Sequence, residues 1–327
     1  MKVLITGANS LLGSNLTRKL LQANYSVKAF VRPNSNTLSL EGTDAEIIRG
    51  HFTNRGDLRQ ALTSCSVVVH VAANTAQWPS AYEHYYQTNV AGTQIMLEES
   101  KTAGIEQFIF VGSANAFGPG SKQSPGDENS AFQKVQYQSG YMRSKYEAQQ
   151  LVLNFQRKHH FPATVVNPTF MLGKFDAKPS SGQLLLMAYP KSVFFAPPGG
   201  KNFVHVEDVA TGILHAIVRG QAGHCYLMGN ENLSYEEFFA SMKQVTDYPK
   251  QLIKLTQTVV TGAGNIGSFW EQLTGKPAKL NATNARLLTT DNYYTAAKAV
   301  NELQLPQTPI DKAISDAVAW FNEFGYL

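Results

Sequence analysis

The sequence predicts an α/β fold, a doubly wound parallel sheet with a smaller, discontinuous C-terminal substrate lobe. Two observations carry the prediction. Near-continuous apolar, β-branched strands alternate with helical segments, which is the pattern of a parallel sheet covered on both faces. The first strand, Lys2-Val3-Leu4-Ile5, runs at once into a turn, Thr6-Gly7-Ala8-Asn9-Ser10-Leu11-Leu12-Gly13. Leu12, Leu16 and Leu20 then recur at helical spacing.

That strand, glycine turn and helix form the layout of a Rossmann-type dinucleotide-binding unit. Glycines let the backbone approach a pyrophosphate, and a helix N-terminus offers free N–H groups and a partial positive charge. A nicotinamide cofactor is therefore expected from the first 13 residues. Further strands are predicted at Val27–Val31, Ala45–Ile48, Val67–Val71, Phe108–Val111 and Thr164–Val166. A seventh is expected near Cys225–Met228, after a helix over Val206–Val218. Residues 1–169 with 202–229 then form the NADP-binding domain, and 170–201 with 230–327 the substrate-binding lobe. The stretch from Gly118 to Gly140, rich in Gly, Ser, Pro and Gln, reads as a lid. The chain ends in a helix with Thr308 as cap, Pro309 in the first turn and Gly325 just past the end. Its apolar face is Ile310, Ile314, Ala317, Phe321 and Phe324.

Composition narrows the partners. The net charge is +4, but the basic residues are scattered without a run, so neither a nucleic-acid nor a membrane partner is expected. Two cysteines, Cys65 and Cys225, are too few for a disulfide framework and fit a reducing compartment, so a cytoplasmic location is expected. No metal site is expected. His159 and His160 are adjacent and cannot face one ion as helical ligands do. His70 and His205 read as structural, and Glu98-Glu99 as a solvated helix face. A second glycine pattern, Gly262 to Gly267, follows a poor strand and reads as a loop or a helix packed through small residues.

The chemistry rests on three side chains. Tyr141 and Lys145 lie four apart in a helical pattern continued by Ala148, Leu151 and Val152, so both occupy one face. A free tyrosine titrates near pH 10 and is a poor acid at neutral pH, whereas a neighbouring ammonium favours the phenolate. The expectation is that Lys145 lowers the Tyr141 pKa and that the phenol then exchanges a proton with a carbonyl or alcohol oxygen. Ser113 ends the strand Phe108–Val111, and ligands of open α/β sheets bind outside the carboxyl ends of strands. Its hydroxyl can hold a carbonyl oxygen beside the phenol.

These residues give the chain its resemblance to the extended short-chain dehydrogenase/reductase family. Thr6-Gly7 through Gly13, His70-Val71-Ala72-Ala73, Asn89-Val90-Ala91-Gly92-Thr93, Ser113, Tyr141-x3-Lys145, Asn167-Pro168-Thr169 and the run Asn202 to Ala210 match in order. The similarity is greatest to the dihydroflavonol-reductase-like branch and to hopanoid-associated sugar epimerases. The resemblance implies that Tyr141 is the proton donor, that Lys145 holds the nicotinamide ribose, that Ser113 orients the carbonyl, and that Asn89 positions the lysine and a relay water. It assigns the cofactor to Gly7, Ala8, Asn9, Ser10, Leu11, Leu12, Gly13, Arg32, His51, Phe52, Val71, Ala72, Ala73, Val111, Tyr141, Lys145, Pro168 and Phe170. It also implies a homodimer. The chain departs from the family pattern at Ser10, where a glycine is usual, at His51, where an acid is usual, and at Gly112, where a serine is common.

Relatives that prefer NAD place a carboxylate at the end of the second strand. This strand instead ends Phe30-Val31-Arg32, and a guanidinium suits a 2′-phosphate, so NADP is expected, with NAD as the alternative. The leading reading is NADPH-dependent reduction of an aldehyde or ketone, with a small-molecule carbonyl substrate. A sugar or nucleotide-sugar epimerase or dehydratase is the second reading, and a non-catalytic NADP-binding regulator the third. After Pro168 the only arginines are Arg219 and Arg286, against many aromatic residues, which favours an apolar carbonyl over a nucleotide diphosphate.

Overall fold

The computed structural model describes residues 1–76, 81–275, 278 and 280–327. Seven parallel strands form the central sheet. They are β1 (Lys2–Thr6), β2 (Ser26–Val31), β3 (Glu46–Arg49), β4 (Val67–His70), β5 (Gln107–Val111), β6 (Ala163–Pro168) and, from far downstream, β10 (Cys225–Met228). Their order is β10-β6-β5-β4-β1-β2-β3. The direction of winding reverses between β1 and β4, so a crevice opens there at the carboxyl edge.

The strands inside the sheet are apolar on both sides because both sides are covered, whereas the edge strand β3 is largely exposed. Val67, Val68 and Val69 of β4 have at most 1% of their surface exposed. On one face α1 (Leu11–Gln22) packs against α7 (Val206–Arg219) over a core that includes Val3, Ile5, Leu16, Val69 and Ile213. On the other lie α2 (Arg55–Leu62), α4 (Gly92–Thr102) and α5 (Gly140–His159), over Leu4, Val68, Phe108, Phe110 and Val165. A short turn, α3 (Glu83–Tyr85), and a π-helical stretch, Tyr86–Ala91, lead into α4. Glu98 and Glu99 are not a solvated face. Glu99 is buried, held by Arg55 at 2.6 Å and Arg59 at 2.8 Å, and Arg55 also reaches Glu98, so the pair fastens α4 to α2.

The second lobe has its own core of Phe203, Phe238, Phe239, Trp320 and Phe321. Its elements are β7 (Phe170–Leu172), α6 (Gln183–Ala188), β8 (Val193–Ala196), β9 (Gly200–His205), β11 (Glu231–Ser234), α8 (Tyr235–Thr246), β12 (Gln251–Lys254), α9 (Gln257–Thr274), α10 (Ala282–Leu288), β13 (Asp291–Asn292) and α12 (Ile310–Glu323). β9 pairs with β7, β11 and β13, so residues 202–205 belong to this second sheet, and the chain rejoins the first lobe at Val206. It returns once more with α11 (Ala297–Leu303), whose Ala299 and Leu303 join the core under α1 and α7. That crossing lies inside the span 230–327 expected for the substrate lobe.

Two further expectations change. Thr308 does not cap α12: its N–H and hydroxyl bond the Asp208 carboxylate at 2.7 and 2.8 Å, and Pro309 occupies the cap position. The cap oxygen is spent on a tie between α7 and the second lobe. The segment 118–140 is not a free lid. Glu128 accepts from the Leu227 N–H at 2.7 Å, Gly120 and Gly126 bridge to Tyr293 and Tyr294, and Gln136 donates to the Asn115 and Phe117 carbonyls. Its polar residues hold backbone groups that no strand or helix would satisfy.

Candidate active site

The glycine turn is built by close packing. Gly7 has φ +66°, and a Cβ there would lie 2.9 Å from the Ala72 Cα. A Cβ on Gly13 would sit 2.3 Å from the Gly7 carbonyl oxygen. Both glycines are therefore required, one by its left-handed backbone and the other by helix-to-turn contact. Ser10 replaces the usual middle glycine, and its hydroxyl caps α1 by accepting from the Gly13 N–H at 3.1 Å. Leu11 and Leu12 open α1, where N–H groups lack partners within the helix. Ala8 is fully buried beneath them. Asn9 donates to the Asn36 carbonyl at 2.7 Å, and Arg18 donates to the Ser39 and Glu41 carbonyls, so the loop after β2 is sewn to α1.

Arg32 begins that loop and is exposed. A second cation stands next to it. Val31 pairs with Arg49 across β2 and β3, and the exposed Arg49 donates to the Pro33 carbonyl at 2.8 Å. Arg49 was missed in the sequence because only strand register brings it to Arg32. His51 is exposed, with its N–H on the Asp57 carboxylate, whereas Phe52 turns inward against Gly92 and meets His70 edge-on at 5.4 Å. Phe170 packs edge-on against Phe203 in the second lobe.

Tyr141, Ser113 and Lys145 converge at the carboxyl edge of β5. Tyr141 is the second residue of α5, whose N-cap Ser139 accepts from the Met142 N–H. Its phenol is hydrogen-bonded to Ser113 and its ring meets Tyr85 at 6.1 Å. Ser113 Oγ also accepts from the Asn115 N–H at 3.2 Å. Lys145 is buried and donates to the Val111 carbonyl at 2.7 Å. Burial pushes its amine down to about 7. Tyr141 titrates above its ordinary value because burial outweighs the Ser113 hydrogen bond. The expected lowering by Lys145 is thus not what this arrangement shows. The amine is spent on Val111, and the phenol stays protonated at neutral pH, the state a proton donor needs.

Gly112 and Asn167 explain another departure. A Cβ on Gly112 would lie 2.5 Å from Asn167 Nδ2, which donates to the Ser113 carbonyl at 3.0 Å and to Gln149. A serine at 112 would displace the amide that holds the Ser113 backbone. Pro168 follows at the end of β6 and is buried.

A buried chain of hydrogen bonds joins the glycine turn to the Tyr141 helix. The Ala72 N–H donates to Thr6 Oγ1 at 3.2 Å, and Thr6 Oγ1 meets His70 Nδ1 at 2.7 Å. His70 Nε2 meets Thr93 Oγ1 at 3.3 Å, and Thr93 donates to the Asn89 carbonyl at 2.7 Å. Asn89 Nδ2 donates to Ser144 Oγ, which donates to the Tyr141 carbonyl. Thr93 has spent its proton on Asn89, so it accepts from His70. The ring is therefore the Nε2–H tautomer and Thr6 donates to Nδ1. Asn89, in the π-helical stretch, also accepts from the Asn74 N–H at 2.7 Å, and it supports Ser144 rather than touching the Lys145 amine. Only the neutral His70 ring satisfies this chain, and burial first, then the Lys145 charge, holds it down to about 3. Below pH 6.5 the unfolded chain binds a proton that the native state refuses, so stability falls with pH through the window from 6.5 to about 3. Each unit there costs about 1.4 kcal/mol. Urea titrations across that window should show the slope in the natural protein and lose most of it in His70→Gln. An equal slope in both would refute the assignment.

A separate small cavity of about 30 Å³, open to solvent, lies between the 119–142 segment and α10. Pro119, Val135, Met142, Leu287 and Arg286 line it. None of Ser113, Tyr141 and Lys145 does, so it flanks the reacting groups rather than containing them.

The matched positions now have their geometry. The model of the NAD dependent epimerase/dehydratase family matches residues 3–229. The chain belongs to that family. It is an NAD(P)-dependent oxidoreductase of the extended short-chain dehydrogenase/reductase kind. A Synechocystis sp. protein provisionally named a dihydroflavonol 4-reductase is 31% identical over 99% of this chain and 95% of its own. A Stigmatella aurantiaca ketoreductase of a farnesylated dihydroquinoline oxide is 29% identical over 84% of this chain and 82% of its own. The crystal structure of gox2253 superposes with a TM-score of 0.86 at 29% identity, covering 99% of both chains.

Proposed function

We propose that this family member is an NADPH-dependent reductase of an apolar aldehyde or ketone. The observation that carries the reading is the Ser113–Tyr141 pair beside a second lobe poor in arginine. Arg219 is exposed at the far end of α7, and Arg286 alone among the later arginines faces the cavity beside the site. Nucleotide-sugar recognition calls for bidentate cations on a diphosphate. The names of the Synechocystis and Stigmatella relatives, both reductases, support the same direction.

The residues fit a dinucleotide. Gly7 and Gly13 leave the backbone bare at the head of α1, and Arg32 with Arg49 offers two guanidinium groups where a 2′-phosphate would lie. A bound reduced nicotinamide would supply hydride to the carbonyl carbon. Ser113 Oγ, fixed by Asn115, donates to the carbonyl oxygen and orients it. Tyr141 gives its proton to that oxygen as charge develops, and the α5 N-terminus stabilises the phenolate left behind. Lys145, released from Val111, would hold the ribose and replenish the phenol's proton.

Purified protein should oxidise NADPH stoichiometrically against one or more members of a panel of aromatic and aliphatic aldehydes, ketones and keto-sugars. Copurifying NAD with epimerised or dehydrated sugar and no net NADPH oxidation would replace the reading with the epimerase. NADPH binding without turnover across the panel would replace it with the regulator.

A further inference from the structure

Gln149 lies further along α5 than Tyr141 and Lys145, at the same four-residue spacing, so the three share one face of the helix. It is buried against Asn167 of β6, which is buried completely. Asn167 Nδ2 donates one proton to Gln149 Oε1 at 2.6 Å and the other to the Ser113 carbonyl at 3.0 Å. A polar brace therefore runs from the helix that bears the proton donor to the strand end that bears the orienting hydroxyl.

Stability alone does not call for these amides. Asn167 Oδ1 is buried with no hydrogen-bond partner among the described residues. An unmet buried acceptor is unfavourable, and a leucine of similar shape would remove it. The Ser113 carbonyl does not need the amide as its donor either, because the Ala116 N–H reaches it at 2.9 Å. What Asn167 adds is direction. Two donors from different elements hold one oxygen, so the Ser113 peptide is fixed and its hydroxyl stays where Tyr141 meets it. Gly112 leaves the room this requires, since a Cβ there would lie 2.5 Å from Asn167 Nδ2.

The brace also outlasts a second tie. Lys145 fastens α5 to the end of β5 through the Val111 carbonyl. Once that amine leaves Val111 for the ribose, Gln149 and Asn167 still hold the helix in register with the strand end. We propose that Gln149 and Asn167 are positioning residues for carbonyl reduction, keeping Ser113 aligned with Tyr141 through the Ser113 carbonyl. The proposal rests on the carbonyl-reductase reading for its chemistry, although the alignment itself precedes substrate binding.

Gln149→Met with Asn167→Leu removes the brace and the unmet oxygen together, so the melting temperature should hold while kcat falls. The loss should be about ten- to a hundred-fold at saturating NADPH, the cost of slightly misplaced reacting groups, with coenzyme affinity unchanged. In a Ser113→Ala background the same two changes should cost less than about two-fold, because the group they position is gone. A further readout needs no turnover. The NMR resonance of the Tyr141 ring carbon that bears the oxygen, assigned by its loss in Tyr141→Phe, should move in the brace-free variant as it does in Ser113→Ala. Should the brace-free variant not fold, two single changes carry the test. Gln149→Met, which withdraws the acceptor, should move the resonance, and Gln149→Glu, which keeps one, should move it far less. An equal loss in the Ser113→Ala background, an unmoved resonance, or equal effects of Gln149→Met and Gln149→Glu would overturn the proposal. If no carbonyl on the panel is reduced, the reductase reading falls and the resonance alone decides whether these amides align Ser113.

Discussion

Replacing Tyr141 by phenylalanine should lower kcat for carbonyl reduction by about 10²–10⁴-fold, the usual worth of a positioned proton donor. The ring remains, so its edge contact with Tyr85 at 6.1 Å and the start of α5 should persist. What disappears is one oxygen, the partner of Ser113. NADPH affinity should change little, because the loss falls on a proton transferred in the transition state and not on ground-state binding. Ser113→Ala should also slow turnover, and the double variant should lose much less than the product of the two, since both groups serve one oxygen. Initial rates at saturating NADPH, together with fluorescence titration of the cofactor, separate these outcomes. An unchanged kcat in Tyr141→Phe would remove Tyr141 as the donor, and additive losses would mean that Ser113 and Tyr141 act on different atoms.

The parts of this molecule that were readable in the sequence are those whose physics is local. All seven central strands were visible: six are largely buried and so nearly unbroken in apolar residues, while the exposed edge strand β3 showed through Ile47 and Ile48. The glycine turn was visible because strand, turn and helix are contiguous. The Gly262–Gly267 pattern was correctly refused as a second such turn. It lies inside α9, where Gly264 and Gly267 serve helix packing. What sequence reading missed depends on distant partners. Glu99 looked like a surface acid, yet its two arginines lie 44 and 40 residues away on α2. Thr308 looked like a cap, yet Asp208, 100 residues earlier, takes its hydroxyl. His70 was rightly read as a core residue, but its task of joining Thr6 to Thr93 follows only from three strand-end and helix positions meeting. The Tyr141–Lys145 spacing was legible. The placement of the amine on the Val111 carbonyl was not, because spacing fixes a helix face and says nothing about which acceptor the side chain finds.

Coenzyme choice gives the second large expected effect. Arg32→Ala with Arg49→Ala should reduce kcat/KM for NADPH by about 10²–10⁴-fold, since each charge-assisted hydrogen bond contributes about 1.5–3 kcal/mol, or roughly ten- to a hundred-fold. The NADH value should stay within a few-fold, because NADH carries no 2′-phosphate. The two residues are not equivalent. Arg49 already donates to the Pro33 carbonyl, so its charge is anchored to the loop, while Arg32 is exposed at the strand end. Arg32→Ala should therefore cost more in direct contact. Arg49→Ala should cost part of its effect through loosening of residues 33–35, which the tie from Asn9 to Asn36 does not secure. Adding an acid in place of Arg32 tests the sign: Arg32→Asp should repel the phosphate and accept the two ribose hydroxyls, raising the NADH to NADPH ratio further than alanine does. Steady-state kinetics with both coenzymes decide the matter. Equal losses with NADH and NADPH would place the two arginines in the structure of the loop, and unchanged values with both would detach them from the coenzyme altogether.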